Sequence, residues 1–401
     1  MRQELIKRGR GGKFMKKSFQ ILCAAVLLAG TAAFAAPAFA EDAKPAGLNA
    51  DDIKKALGMS IYLQGGYTYN GNPTTNTGTG DENSLRIFDH KANSFGLDLA
   101  EIVFSKDPTT GVVGFKVKLS AGETAKWIHA RGLSGVDPNA APPANAQTGE
   151  STDSIDITEA YMSYLAPIGK GLRFDFGKMV TYHGAEVIEA KDNPNYSRSF
   201  LFNYAIPFTH TGVKMSYNFT DALSASFHIV NGWDNATDNN PGKTYGVSVG
   251  YAPADAFSGY INLMSGPEQD HSNNKRNLLD LVATIKPAKK LTLILNIDDA
   301  KEAKAVPAGD AKWYGAAAIA KYDVSDTQDV AVRAEYFNDK DGARTGTAQK
   351  LKEVTLTWET RLSNGLIVRP EYRHDISDQK SFDNSTKKSQ DTLALGVMYN
   401  W

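Results

Sequence analysis

The chain has 401 residues, of which 42% are hydrophobic and 22% charged. Residues 1–40 hold seven of its 44 basic and one of its 45 acidic side chains, leaving 37 against 44, an acidic balance that argues against nucleic acid as a partner. The single cysteine, Cys23, lies in that first stretch, so the remainder has no disulfide, thiol nucleophile, thiolate metal site or covalent haem attachment.

Residues 1–40 read as an export signal. Lys7, Arg8, Arg10, Lys13, Lys16 and Lys17 precede an apolar run at 21–28, and Ala38-Phe39-Ala40 gives the small-x-small pattern for cleavage after Ala40. Residues 41–57 read as a short periplasmic segment, hanging free or entering the lumen, in which Asn49 is placed to cap a helix through Leu57, stopped by Gly58. Residues 58–401 show no domain boundary and no apolar run of about 18 residues that would make a membrane-spanning helix.

What residues 58–401 show instead is alternation. Strands are expected near 59–70, 93–105, 112–121, 154–165, 171–181, 211–219, 222–232, 243–252, 257–265, 276–286, 290–298, 312–322, 328–337, 350–362, 366–375 and 391–401. Tight links such as KDPTTG, PIGKG, FTDA and SNG alternate with long polar ones, including 71–92, 122–153, 182–210, 299–311 and 376–390. Short turns on one side, long loops on the other and strands of about ten residues define an all-β, transmembrane, antiparallel up-and-down barrel of about 16 strands in an outer membrane. An open edge would leave backbone groups unpaired in lipid, so the first and last strands must pair.

The two faces are chemically opposite. In 350–375, a three-residue loop Ser363-Asn364-Gly365 sets Leu362 against Leu366, Trp358 against Pro370 and Leu356 against Tyr372 on one face. The other face sets Glu359 against Arg369, Thr357 against Glu371 and Thr355 against Arg373. The same division places Lys116, Lys118, Arg173, Asp175, Lys214, Arg333, Glu335, Glu359, Arg369, Glu371 and Arg373 on the wall of a water-filled lumen. Strands 93–105 and 154–165 are ambiguous because Glu101 and Glu159 interrupt their alternation.

No enzyme is legible. The seven histidines (His90, His129, His183, His210, His228, His271, His374) are scattered without metal-ligand spacing. Ser226 and His228 share a strand face, but positions two apart stand about 7 Å from one another, which reads as an ordinary luminal pair beyond hydrogen-bond reach. The glycines of GNPTTNTGTG lack the lysine and helix of a phosphate loop. No cofactor is implied.

The segment 182–210 is unlike the other loops. Phe200, Leu201, Phe202, Tyr204, Ile206 and Phe208 need burial, which a loop folded inward against the wall supplies, with Glu186, Glu189 and Arg198 near a constriction. The stretch GKMVTYHGAEVIEAKDNPNYSRSFLFNYAIPFTHTGVKMSY resembles the core of the OmpL-like β-barrel porin family of Gram-negative outer membranes, and the likeness runs from about residue 58 to the end. The resemblance implies a porin passing small hydrophilic solutes or ions, without catalytic residues. Expected partners are outer-membrane lipid and lipopolysaccharide, the barrel-assembly machinery acting on the C-terminal strand, and a homotrimer of the kind common among porins. Two alternatives stand beside it. One is a sheath of an electron-conduit complex holding a cytochrome from another gene; the other is a structural or adhesive protein with a blocked lumen.

Overall fold

The computed structural model describes residues 54–55, 57–76, 80–133, 154–362 and 365–401. The export signal therefore lies outside the described residues; of 41–57 only Lys54, Lys55 and Leu57 are described, and they are helical. Sixteen antiparallel strands close into one barrel: β1 (Met59–Asn70), β4 (Phe95–Lys106), β5 (Val113–Ala121), β6 (Ile155–Ala166), β7 (Leu172–Val180), β8 (Thr209–Asn218), β9 (Leu223–Val230), β10 (Thr244–Ala254), β11 (Phe257–Pro267), β12 (Lys275–Ala288), β13 (Leu291–Val306), β14 (Gly309–Ser325), β15 (Gln328–Asp339), β16 (Gln349–Arg361), β17 (Leu366–Ser377) and β18 (Ser389–Asn400). Each pairs with its neighbour in sequence, and β1 pairs with β18 to close the ring. A small hairpin, β2 (Thr74–Asn76) with β3 (Gly80–Glu82), and one short helix, α1 (Glu123–Ile128), lie in the loops.

Alternation fixes the register. Thr355 opposes Arg373, Thr357 opposes Glu371, and Gly365 takes the left-handed conformation (φ 82°) that the three-residue turn requires. The outward row is apolar and uncovered by protein, with Leu356 48%, Trp358 38% and Tyr372 42% exposed; lipid is its burying phase. The inward row of the same hairpin, Thr355, Thr357, Glu359, Arg369, Glu371 and Arg373, is buried.

Two bulges resolve the ambiguous strands. Gln64 faces Leu99 while Gly65 faces Leu97, so Asp98 is an extra residue in β4; Lys118 faces Glu159 while Leu119 faces Ile157, so Thr158 is extra in β6. Each bulge lets two successive side chains point inward and restores the apolar exterior beyond it. Glu101 and Glu159 therefore both face the interior, where both are buried.

One expected long loop is absent. Residues 299–306 and 309–311 are strand, because alternation continues there outside the membrane, and Lys301–Asp310 (2.8 Å) and Lys312–Asp299 (2.9 Å) ion pairs clothe the projecting hairpin.

The interior also differs from an empty polar tube. Inward wall residues Leu99, Met264, Leu278, Trp313, Phe337 and Leu351 join loop residues Ile87, Phe88, Ile128, Phe200, Phe202, Ile206, Phe208 and Trp233 in one apolar cluster. A ring of sixteen strands is too wide for its own side chains to fill. Here the extracellular connections supply the filling.

Candidate channel interior

The dominant element of the lumen is the connection from β7 to β8, residues 181–208. Phe200, Leu201, Phe202, Tyr204, Ile206 and Phe208 are each at most 3% exposed, seated against Leu99, Trp313 and Phe337 of the wall. An irregular segment buried this way must find partners for its backbone groups. The wall provides them. Glu335 accepts hydrogen bonds from the amides of Phe200 (2.7 Å) and Leu201 (2.6 Å), and Glu371 from those of Tyr196 (2.7 Å) and Ser197 (3.0 Å). Asp280 accepts from the Gly184 amide (2.8 Å) and Asn296 from that of Ala185 (3.0 Å).

Arginines serve the carbonyls. Arg333 donates to Ser197 O (2.7 Å), Arg369 to Ala190 O (2.5 Å) and Asn195 O (3.2 Å), and Arg373 to Arg198 O (2.6 Å). Each guanidinium is also neutralised: Arg333 by Glu353 and Glu186, Arg369 by Glu359, Arg373 by Asp375. The rigid, five-donor fork of arginine suits this double duty better than a lysine would.

Six of the expected wall residues are covered inside the barrel. Arg333, Glu335, Glu359, Arg369, Glu371 and Arg373 do point inward, but each is at most 7% exposed, because the loop lies on top of them. They hold the loop. The loop's own charges behave similarly: Arg198 donates to the carbonyls of Val187, Tyr196 and Ile188, and Glu186 pairs with Arg333 and accepts from the Ser199 amide (2.8 Å). Arg198 is enclosed by these carbonyls, whereas Glu186 also lines the cavity beside the loop. Glu189 meets Lys118; burial alone would raise its carboxyl, but the ammonium beside it holds it below the usual carboxylate range.

The remaining wall residues form a second group on β5–β8. Lys116 pairs with Glu159 (2.6 Å), and Arg173 (2.8 Å) and Lys214 (3.2 Å) both pair with Asp175. Their cationic side chains stay 30–34% exposed, whereas the Glu159 and Asp175 side chains are 3% and 1% exposed. Lys118 is buried between Glu159 and Glu189. On this side of the loop lies a cavity of about 570 Å³ lined by Ser60, Glu101, Lys116, Lys118, Glu189 and Lys191, among others.

Several residues that organise the interior carry no obvious motif. Gly66 and Gly396 oppose one another across the β1–β18 seam and form a slot for Tyr196: a Cβ at Gly66 would lie 2.2 Å from the Tyr196 hydroxyl, and one at Gly396 2.4 Å from its ring. The Tyr196 hydroxyl then donates to Asp98, the bulge residue (2.5 Å). Trp313 Nε1 donates to Ala205 O (3.1 Å) and Arg344 to Tyr204 O (2.7 Å). Inward-facing glycine in a strand, in a chain with one aromatic-rich loop, is the signal that could have found the slot.

The histidines are less scattered than spacing suggests. Tyr182 stacks on His228 (3.8 Å between centroids) and touches His183 (4.2 Å), with His210 at 6.4 Å from His183. Among the described residues no three His, Cys, Asp or Glu side chains converge to hold a metal ion. Ser226 Oγ and His228 Nε2 are 2.8 Å apart, contrary to expectation, because the imidazole leans along the strand and spans the backbone spacing. The other ring nitrogen, Nδ1, has no hydrogen-bond partner among the described residues, so none of these orients the pair as a carboxylate would in a hydrolase.

A closed sixteen-stranded antiparallel barrel with a lipid-facing apolar band, a charged inner wall and one long loop folded into its lumen defines a porin of the Gram-negative outer membrane. The sequence model of the family described as "Putative beta-barrel porin-2, OmpL-like" matches residues 56–401, and the chain belongs to that family. Solved structures share the fold at low identity. OmpF of Salmonella typhi, in complex with daunomycin, is 12% identical (TM-score 0.58; 86% and 97% covered). An anion-selective porin from Comamonas acidovorans is 10% identical (TM-score 0.56; 86% and 98% covered). OmpT of Vibrio cholerae in a trimer form is 12% identical (TM-score 0.53; 86% and 98% covered). No curated protein sequence matches the chain.

Proposed function

We propose that this porin passes small hydrophilic solutes and ions through a lumen constricted by residues 182–208. The observation that carries the reading is the seating of that loop inside the barrel by Glu335, Glu371, Arg333, Arg369 and Arg373, with a charged cavity beside it. Lys116, Arg173 and Lys214 are the wall charges that meet solute. Their heads are part-exposed while their carboxylate partners are recessed, so the wall favours anions, in place of the weak cation preference that the net acidic charge of residues 41–401 by itself leads one to expect. A homotrimer is the proposed assembly, in keeping with the trimer form of the Vibrio cholerae neighbour. The apolar core occupying the lumen leaves little space for a cytochrome and weighs against the sheath alternative.

Single-channel conductance of the refolded protein in a planar bilayer under a salt gradient tests this. Steady openings with a reversal potential of anion sign are expected, and deletion of 190–206 raises the conductance. A folded barrel that never conducts, with or without the deletion, sinks the proposal and leaves the blocked-lumen reading.

A further inference from the structure

The inner wall changes chemistry around its periplasmic half, in a way that passage of small hydrophilic solutes does not require. On β7 and β8 it carries the part-exposed cations Arg173 and Lys214. A row of hydroxyls follows: Arg173 opposes Ser216, Ser216 opposes Ser226 and Ser226 opposes Ser248, and all three serines are half-buried. Beyond that row the inward positions turn apolar. Tyr260 opposes Val282, Thr284 opposes Ile294, and Ile294 opposes Ile319. Asp280 and Asn296 bond the loop at Gly184 and Ala185, so Val282 and Ile294, each two positions along, share their inward face. The Tyr260 ring lies over Gly250 beside Ser224, where a Cβ would come within 2.7 Å of the ring and 2.8 Å of the serine Oγ, which puts it on the face of Ser226. Tyr260 is 46% exposed, Val282 and Ile294 are half-buried, and none of the three belongs to the apolar cluster that the loop builds.

An apolar band turned toward water is matched by a solute that carries apolar surface of its own. Charge sets the rest of that solute. The strands between the cations and the band, β9, β10 and β11, contain no acidic residue. Asp175 is recessed beneath Arg173 and Lys214, Asp323 and Asp329 are tied to Lys321 and Arg361, and Asp221 and Asp255 lie in the periplasmic turns. From β8 to β11 is three strand spacings, about 14 Å along the wall, part of which the Lys214 side chain covers. We propose that this vestibule selects organic anions with an apolar body, of the arylalkanoate class: the carboxylate on Arg173 and Lys214, the ring or chain on Tyr260, Val282 and Ile294, and the serine row beneath the span between them. The inference rests on the conducting reading given above and narrows its solutes.

Single-channel recording of the refolded full chain in potassium chloride tests it with three probes: 4-phenylbutyrate, butyrate, which has the carboxylate without the ring, and 4-phenylbutylamine, which has the ring without the carboxylate. The expected result is that 4-phenylbutyrate interrupts the current at a concentration at least about tenfold below that of either other probe, since partial burial of a ring adds that much to the affinity of a carboxylate. Y260S/V282T/I294T is expected to bring 4-phenylbutyrate to the level of butyrate, and R173Q/K214Q to weaken both carboxylates. Heat-modifiable gel mobility shows whether each variant is a folded barrel. Steady openings blocked equally by 4-phenylbutyrate and butyrate overturn the inference and leave conduction standing. Equal block by the amine overturns it too, as apolar partitioning without selection for charge. Undiminished preference for 4-phenylbutyrate in a folded Y260S/V282T/I294T barrel overturns the assignment to this band. A barrel that never opens removes the conducting reading and this inference with it. The three-probe comparison on the unaltered chain decides the matter even if a variant fails to fold.

Discussion

Replacing Glu335 and Glu371 together by alanine removes the acceptors of four loop amides, at 2.6–3.0 Å, from a site where both carboxylates are at most 6% exposed. A hydrogen bond to a charged group contributes about 1.5 kcal/mol at the low end, so the four together hold the loop by roughly 6 kcal/mol. Neighbouring bonds on one acceptor do not add fully; even half of that sum changes the seated-to-released ratio by roughly two orders of magnitude. The barrel itself should survive, since its closure is in the strand ladders. Four unpaired buried amides are also costly, which drives the segment toward water rather than letting it remain in place. In single-channel records E335A/E371A is expected to show larger and noisier openings than the unaltered chain, with heat-modifiable mobility unchanged. An unaltered conductance and noise spectrum in a folded E335A/E371A barrel would refute the reasoning, because the wall carboxylates would then not be what seats the loop.

Three further outcomes are expected. G66A and G396A each place a methyl into the Tyr196 ring or hydroxyl; the crowding costs on the order of 1–3 kcal/mol, lowers the unfolding temperature and alters conductance, whereas an outward G65A, whose nearest contact is the Gly96 carbonyl at 2.9 Å, leaves Tyr196 in place. Among the external loops, burial pushes the Glu268 carboxyl up to about 7 and that of Asp234 up to about 6, despite nearby arginines and hydrogen-bond donors. Folded values above the unfolded ones mean that their contribution is fully present below about pH 4 and is lost as pH rises through 6 and 7. Amide exchange at 231–243, corrected for intrinsic rates, should therefore show more opening at pH 8 than at pH 5; the reverse order would mean both acids are ionised and stabilised in place. Finally, a fluorophosphonate probe should leave Ser226 unlabelled, since His228 Nδ1 lacks a partner among the described residues to orient it, and labelling would point to hydrolysis instead.

Much of the architecture was legible because a lipid-facing strand obeys a simple rule. Leu393, Leu395 and Val397 announce β18, and the pairing of Thr357 with Glu371 follows from keeping apolar residues on one side of the hairpin. The projecting β13–β14 hairpin escaped because residues 299–311 are polar on their outward side, and outside the membrane a strand needs no apolar face. The bulges at Asp98 and Thr158 left a visible interruption but not its location. Inward orientation of Arg333 or Glu371 was legible; what covers them was not, since contacts with a loop more than 130 residues away in sequence depend on where that loop comes to rest. The aromatic content of 200–208 pointed to burial, while the partners of its backbone had no counterpart in any local pattern.

The slot formed by Gly66 and Gly396 ties two events that are separate in most barrels. Those glycines are the facing residues of the first and last strands, so at that level the closing seam has no cross-strand side-chain pair of its own; the Tyr196 ring covers it from within. Spreading the seam strips the ring of its seat, and lifting the ring uncovers the seam. Zipping the cylinder shut and docking its inner segment thus become a single mechanical coordinate, in which the last strand to arrive completes both.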